Sequence, residues 1–567
     1  MWMSELPPFV AFFAAAFLAL LTRGPLRAAL MLAAPLLGGL HLWFNVPDGT
    51  LLSVTLLEFE LILMRADGLS LLFGYIFHIA AFILVIYTLH LRDTLQHVAG
   101  LVYAGSALGA VFAGDLVTLF IFWELLVISS VFLVLARRTA RASRAGIRYL
   151  IFQVSSGVLL LAGIVVHYRY TGSLAFDFIG IENPGGWLIL LAFGIKCAFP
   201  FLHTWLTDTY PEATPTGAAM LSVFTTKVAV YTLARGYPGT DLLIYIGATM
   251  ACFPIFYAVI ENDLRRVLSY SLINQLGFMV CGIGIGTALA LNGAVAHAFS
   301  HILYKALLVM SMGAVLHRVG NINASDLGGL YKSMPKTALL CIIGAASISA
   351  LPLFSGFISK SLVMSALLEE DHDIIWLMLL FASAGVLHHA GIKVPYFAFF
   401  AHDSGIRTSE APTNMLVAMS IAAVLCVFIG TQPQFLYALL PWELDYWPYD
   451  TTHVLAQLQL LFFAALAFVW MEIKGYAPAE LHATNIDAEW LYRKALPRTA
   501  GLVRGAIQSL AGVTRSALGA GLGHARGGFA RSRLAPYHLA QSWPTGSMVL
   551  WIAVLLGFYL LLDIVIY

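Results

Sequence analysis

Residues 194–235 read GIKCAFPFLHTWLTDTYPEATPTGAAMLSVFTTKVAVYTLAR. An apolar run from about Leu188 carries Lys196 into this stretch, breaks at Pro200, and leads on to a second apolar-embedded lysine, Lys227; His203, Asp208 and Glu212 lie between them. A lysine at the centre of a membrane helix costs roughly 2.5–3.5 kcal/mol on insertion scales, so its presence calls for a function. Proline removes a backbone donor and clashes with the preceding turn, which predicts a discontinuous helix. In a membrane such breaks are tolerated only where protein or a wet cavity satisfies the freed groups. The stretch therefore predicts a proton or cation site at mid-membrane, with Pro200, His203, Asp208 and Glu212 in the break and the loop after it.

The rest of the composition points the same way. Of 567 residues, 60% are hydrophobic and only 11% charged, with a mean hydropathy of +0.85. Soluble domains are about 25% charged, so this is the composition of an integral membrane protein. Its apolar runs have the length of helices, about 20 residues, rather than of barrel strands. The net charge of +1 points to no partner. Cys197, Cys252, Cys281, Cys341 and Cys426 stand singly in apolar sequence, which argues against disulfides, iron–sulfur ligation and zinc. There is no Walker loop and no dinucleotide GxGxxG after a strand; GIGIG, 282–286, reads as helix packing. No cofactor, resident metal or nucleic acid is expected.

The pattern predicts an all-α membrane protein of about sixteen spans, near 8–22, 28–44, 68–90, 99–116, 118–136, 148–168, 185–206, 215–235, 241–260, 266–287, 291–316, 336–368, 374–401, 412–432, 453–473 and 547–567. The first lacks a basic n-region and reads as a membrane helix, not a cleaved signal. Basic residues gather in the odd-numbered loops: Arg23 and Arg27; Arg92; Arg137, Arg138, Arg141 and Arg144; Arg265 and Arg266; Arg318, Lys332 and Lys336; Arg407. The even loops, Arg65 and Arg169 apart, are acidic or neutral. The positive-inside rule puts the odd loops in the cytoplasm and both termini outside.

Residues 474–546 form the one long polar segment. From Leu491 to Gly546 it carries eight basic residues and no acidic one, interleaved with apolar positions. That predicts a basic amphipathic helix on the cytoplasmic surface, a disordered basic linker being the alternative.

An internal repeat divides the middle of the chain. Lys196 and Lys227 stand in a proline-broken span and in the next; Lys360 follows LPLFSGFIS in another broken span, with Lys393 one span later. Two five-helix units, 99–235 and 241–401, would make these pairs equivalent, and an odd number of helices makes the copies inverted. The remaining parts are N-terminal helices (1–98), C-terminal helices (412–473), the basic lateral segment (474–546) and a final helix (547–567).

Further charges lie inside spans. Glu124, in FIFWELLVIS, calls for a lysine on a neighbouring helix, as a proton-tuning partner or as a static ion pair. His297, His301 and Lys305 recur at spacings of four, which places them on one helix face. Imidazole both donates and accepts near neutrality, so the stripe suits a proton relay; a metal at HxxxH has no carboxylate or cysteine in that span to support it. His388 and His389 extend a relay or line a wet face, and Lys393 either joins it or snorkels to the interface.

These residues and several longer motifs resemble the proton-translocating antiporter-like family shared by Mrp-type cation/proton antiporters and respiratory complex I. The motifs are ADGLSLLF (66–73), FWELL with Glu124, the block from Lys196 through Pro200, His203, Trp205 and Leu206, PEATPT (211–216), DLRRVLSYSLINQLG (263–277), HAFSHILYKALL (297–308) and LPLFSGFISK ending at Lys360. The resemblance implies that Glu124 and Lys196 form a gating ion pair, that Lys227 is the central relay lysine, and that His297, His301, Lys305 and Lys360 make a second half-channel. It also implies an assembly of several subunits in a bacterial inner membrane. TTKVAVYTLAR (225–235) and HAGIKVPYFAFF (389–400) look most like the D-type member of the Mrp antiporters. Two features depart from the pattern. The W-L-P-D turn is Trp205-Leu206-Thr207-Asp208 here, which would loosen the following loop. The basic segment with its final helix resembles the distal pump subunit of complex I. The expected function is Na+/H+ or K+/H+ antiport within a complex, not an enzyme in its own right. The alternatives are a pump subunit of a complex I-like oxidoreductase or membrane-bound hydrogenase, a membrane component of inorganic-carbon uptake, or a passive scaffold.

Overall fold

The structure, a computed structural model, describes residues 5–56, 58–483 and 485–509. They fall in two compact units, Met1–Ala488 and Glu489–Tyr567. The first unit opens with α1 (Pro8–Leu21) and α2 (Gly24–Asn45), then a hairpin of β1 (Gly49–Leu56) and β2 (Phe59–Ala66). There follow α3 (Gly68–Thr88), α4 (Thr94–Phe112), α5 (Leu116–Leu135), α6 (Ala140–Thr171), α7 (Gly186–Cys197), α8 (Thr204–Thr209), α9 (Pro215–Leu221) and α10 (Thr225–Gly236). The second half runs through α11 (Asp241–Ile260), α12 (Leu264–Ile285), α13 (Ala288–Val319), α14 (Pro335–Ile348), α15 (Ser355–Glu369) and α16 (Asp373–Val386). It closes with α17 (Thr413–Thr431), the single turn α18 (Gln434–Tyr437) and α19 (Thr451–Lys474). Twelve helices among the described residues are long and apolar enough to cross a membrane, and α1, α7 and α14 are shorter apolar helices.

The expected spans within the described residues all appear as helices, including the close pair 99–116 and 118–136. Asp115 separates that pair: its carboxylate accepts from the Val117 and Thr118 amides and so caps α5. The sixteenth span, with Asp563, lies outside the described residues, so a count of sixteen is not established. The two spans expected to be broken, 185–206 and 336–368, are each two helices joined by a break, and so is 215–235, where α9 ends at Leu221 and α10 starts at Thr225. The hairpin was not foreseen, because its run is too short to span and was read as an acidic loop. Its strands pair antiparallel from Gly49↔Ala66 to Leu56↔Phe59. Ile62 N donates to the Asp115 carboxylate at 2.7 Å, and Arg65 pairs with Asp177 at 2.9 Å.

The two halves repeat each other in detail. Asp115 caps α5, and Asp263, 148 positions later, caps α12. Each begins a short antiparallel bridge, Asp115 with Ala175 and Asp263 with Asn323. Leu116 N donates to Leu174 O (2.9 Å) as Leu264 N does to Ile322 O (3.2 Å). The 32-residue helices α6 and α13 start at threonine caps, Thr139 and Thr287, and end at left-handed Gly172 and Gly320, again 148 positions apart. The breaks match as well. Ala198 and Phe201 flank Pro200 at φ of 62° and 66°; Ala350 and Leu353 flank Pro352 at 58° and 74°. Left-handed backbone at a residue with a side chain costs on the order of 1 kcal/mol or more, and it persists only where the surroundings hold it.

Of the second unit, residues 489–509 are helical and expose Leu502, Val503 and Ile507. The rest of the basic segment lies outside the described residues. Residues 476–483 and 485–488, the start of the long polar segment, are not helical and belong to the first unit.

The helices α11 and α12 approach each other through glycine. A Cβ built on Gly277 would collide with the Ala251 backbone nitrogen and stand 2.6 Å from the Gly247 carbonyl. Gly277→Leu is therefore expected to force the two backbones apart and to destabilise the chain by about 1–3 kcal/mol. A thermal unfolding scan in detergent that leaves the midpoint unchanged would contradict this packing.

Candidate functional site: a buried lysine–histidine row

Three of the four lysines first noticed in the sequence sit on open helix C-termini. The last carbonyls of a helix have no intrahelical donor and carry partial negative charge. Lys227 Nζ donates to Ser222 O, the C-cap of α9, at 2.6 Å. Lys360 Nζ donates to Ile348 O, the last residue of α14, at 2.9 Å. Lys393 Nζ donates to Val259 O and Glu261 O at the end of α11, at 2.6 and 2.8 Å. For Lys227 and Lys360 the breaks that shorten α9 and α14 thus provide the acceptors, and for Lys393 the end of the full-length α11 does. Lys196 differs: it donates to Trp123 O at 2.6 Å and lies 4.1 Å from the centroid of that indole. All four lysines, with His297, His301 and Lys305, are buried.

The charged groups are neighbours in a row. Lys227 interacts electrostatically with Lys305, His301 and His297. Lys305 in turn feels His389, and His389 feels Lys393. His297 and Lys360 form a side branch. The His297 and His301 rings are 6.3 Å apart, and the His297 ring nitrogens lie 2.9 Å from Ser359 Oγ and 3.2 Å from Gln275 Oε1. The ring nitrogens of His301 and the Lys305 amine are buried with no protein hydrogen-bond partner. Buried polar atoms of this kind are satisfied by water or by a transferred proton's carrier, rarely left alone. A void of about 10 Å³ lined by Ser222, Ser269 and Lys305 adjoins the Lys227 cap, and a cavity of about 170 Å³ reaches Lys360 past Ser361, Ser365 and Gln457.

Two expectations are corrected. Glu124 and Lys196 interact electrostatically but form no ion pair, because the Lys196 amine is turned to the Trp123 carbonyl. Glu124 Oε1 is buried without a partner and rests against Gly157, where any Cβ would overlap it. Lys393 does not snorkel: it is 1% exposed and pairs with Glu480 at 2.8 Å. At the residue level, too, the lysines are not equivalent. Lys196 stands two positions before the first break, and Lys360 seven after the second.

The residues flanking the first break have structural partners. Asp208 pairs with Arg148 at 3.0 Å, and Glu212 with Arg141 and Arg137 at 2.9 and 3.4 Å. Trp205 Nε1 donates to Ile195 O at 2.8 Å, so the segment after Pro200 is a buried helical turn and not a loosened loop. His203 Nε2 lies 3.1 Å from Asp487, which also accepts from Tyr270 at 2.7 Å. Burial alone would push the Asp487 carboxyl up, but these two hydrogen bonds help to hold it below the usual aspartate value.

Sequence reasoning missed Glu480, Asp487, Gly157 and Arg265. Arg265, read as a loop cation, is buried and donates to the Tyr210 and Ala213 carbonyls at 2.9 and 2.8 Å, fixing the turn after α8. The only sequence signal for Glu480 and Asp487 was their acidity ahead of a purely basic stretch.

Comparison with known proteins adds a second line of evidence. The profile described as "NADH:quinone oxidoreductase/Mrp antiporter, TM" matches residues 113–387, from Ala113 before α5 to Leu387 after α16. The chain is 30% identical over 360 residues to the D component of the Na(+)/H(+) antiporter of Alkalihalophilus pseudofirmus, covering 58% of this chain and 72% of that protein. It is 27% identical over 433 residues to hydrogenase-4 component B of Escherichia coli, covering 67% and 64%. Its fold is similar to a chain in the Mrp complex from Dietzia sp. DQ12-45-1b (TM-score 0.77, 24% identity, 97% of this chain and 65% of that one). It is also similar to one in an archaeal membrane-bound sulfane sulfur reductase (TM-score 0.72, 22% identity, 98% and 100%). On the strength of the match to the Alkalihalophilus antiporter component the chain, a multi-pass membrane protein, belongs to the family of NADH:quinone oxidoreductase and Mrp antiporter transmembrane subunits.

Proposed function

We propose that this chain is the ion-translocating subunit of a multisubunit monovalent cation/proton antiporter, and that protons cross it by way of the buried lysine–histidine row. The observation that carries this reading is the run Lys227, Lys305, His389, Lys393, each the electrostatic neighbour of the next. Lys196 and Glu124 form its entry and His297 and Lys360 its branch. Two ammonium charges at close range repel, so a proton arriving at one lysine favours release from the next. The two five-helix units, 99–235 and 241–401, would lie inverted in the membrane with a half-channel each, and the odd-numbered loops and the basic segment would face the cytoplasm. Sister subunits would complete the assembly, and Na+ or K+ would be the counter-transported ion.

Hydrogenase-4 component B, as a relative, and the sulfane sulfur reductase chain, as a fold neighbour, favour a second reading: the same row would pump protons inside a redox complex. Mass spectrometry of the intact complex decides between them. Small antiporter-type membrane subunits support the first reading, and subunits carrying redox centres support the second.

Three substitutions test the row. Lys196→Ala is expected to abolish proton-coupled transport in everted vesicles while the complex still assembles; transport at the wild-type rate would remove its central role. Gly157→Ala adds a methyl where the Glu124 carboxylate rests, and is expected to lower transport about as much as Glu124→Gln with little loss of assembly. Glu480→Gln leaves Lys393 buried without its carboxylate, which for buried pairs costs about 3–5 kcal/mol. Unfolding midpoints should fall for Glu480→Gln and recover in the double variant Glu480→Gln/Lys393→Gln; the absence of recovery would mean the pair is not coupled.

A further inference from the structure

Away from the lysine row the described residues enclose a second basic place. A cavity of about 700 Å³ opens between the start of α2 and the turn from α3 to α4. Arg23, Arg27 and Arg92 line it together with His90 and His97, and no carboxylate does. Asp93, next to Arg92, acts on His97 from outside that lining, and its carboxylate caps the Leu95 amide at 3.0 Å and lies 3.8 Å from Arg138. The Arg27 guanidinium donates through Nε to the Thr22 carbonyl at 2.8 Å, a neutral acceptor that leaves its charge uncompensated. Three guanidinium groups around one cavity repel one another unless an anion sits among them, and planar forks such as those of Arg23 and Arg92 match phosphate.

The histidines sharpen the point. His97 is 4% exposed; its Nε2 lies 3.1 Å from the Leu91 carbonyl, and its Nδ1 is buried with no protein partner. With Nε2 donating to that carbonyl, Nδ1 of the neutral ring is an acceptor, open to a water or a hydroxyl that a bound headgroup brings. Burial and the neighbouring His317 bring His90 down to about 4, so near neutrality the charge of the cavity is that of the arginines.

The wall does not stop at the basic end. Ala28 and Met31 line the cavity, and Pro35 and Gly39 line an apolar groove of about 320 Å³. These four positions follow at three- and four-residue spacing and so form one ridge of α2. Trp43, Tyr75, Ile79 and Ile83 line the groove too, as does His78. Pro35 lies about 6 Å along the helix axis from Met31, so the two hollows follow one another along that ridge.

We infer that cavity and groove together bind one anionic phospholipid, its phosphate among Arg23, Arg27 and Arg92 and an acyl chain along the Pro35–Trp43 face. The arginines account for the headgroup charge, and the adjoining groove distinguishes a lipid from a free anion.

The test uses the purified full-length chain in its complex, with native mass spectrometry following titration with dioleoyl phosphatidylglycerol, dioleoyl phosphatidylcholine and inorganic phosphate. Arg23 and Arg92 are exposed, so Arg23→Gln/Arg92→Gln spares the packing; Arg92→Gln alone serves if the double variant does not assemble. Phosphatidylglycerol is expected to bind the wild type, and to bind the double variant about tenfold or more weakly. Phosphatidylcholine should bind both equally weakly. The proposal falls if the variant keeps its phosphatidylglycerol, if the two lipids bind alike, or if inorganic phosphate displaces the lipid.

Discussion

The constraint on which the rest depends is the cost of lodging an amine among apolar helices. Here the cost is offset chiefly by helix ends. Lys227 and Lys360 donate to main-chain carbonyls that a continuous helix would have consumed internally, and Lys393 to those at the close of α11. A carboxylate beside each lysine would hold its proton firmly. Helix-end carbonyls carry about half a charge, which steadies an ammonium without locking it. Only Lys393 has a full counter-charge, from Glu480.

The internal repeat explains why the breaks are where they are. Caps, bridges, paired 32-residue helices and left-handed residues recur along both halves. Yet the lysines were not copied with them, since one precedes its break and the other follows it. The two halves therefore share a frame and differ in chemistry: the first presents the Trp123 main-chain carbonyl and an unpartnered carboxylate oxygen near Lys196, the second a histidine-rich face. The left-handed positions bear Ala, Phe, Ala and Leu, not glycine, so each break has one geometry imposed on it rather than freedom to swing.

Much of this could be read from the residues. Lys196, Lys227 and Lys305 stood out because charge inside apolar sequence is rare, and Pro200 betrayed the first break because proline cannot continue a helix. Asp115 and Asp263 mark helix starts that hydropathy alone blurs. What could not be read depends on long-range packing. Whether Lys196 meets Glu124 or the Trp123 carbonyl is decided by the rotation of α5 against α7, which no local pattern encodes. Glu480 and Asp487 lie far along the chain from Lys393 and His203, and Arg265 looked like any loop cation until its helix was seen to bury it.

The non-helical strand after α19 has a mechanical consequence. Glu480 and Asp487 are seven residues apart, so the chain between them can extend over no more than about 25 Å. One end grips an ammonium of the second half, and the other an imidazole beside the first break. A tie of fixed length between two anchors sets a limit on travel: the Lys393 and His203 sites cannot draw apart beyond that reach unless one of the two contacts lets go.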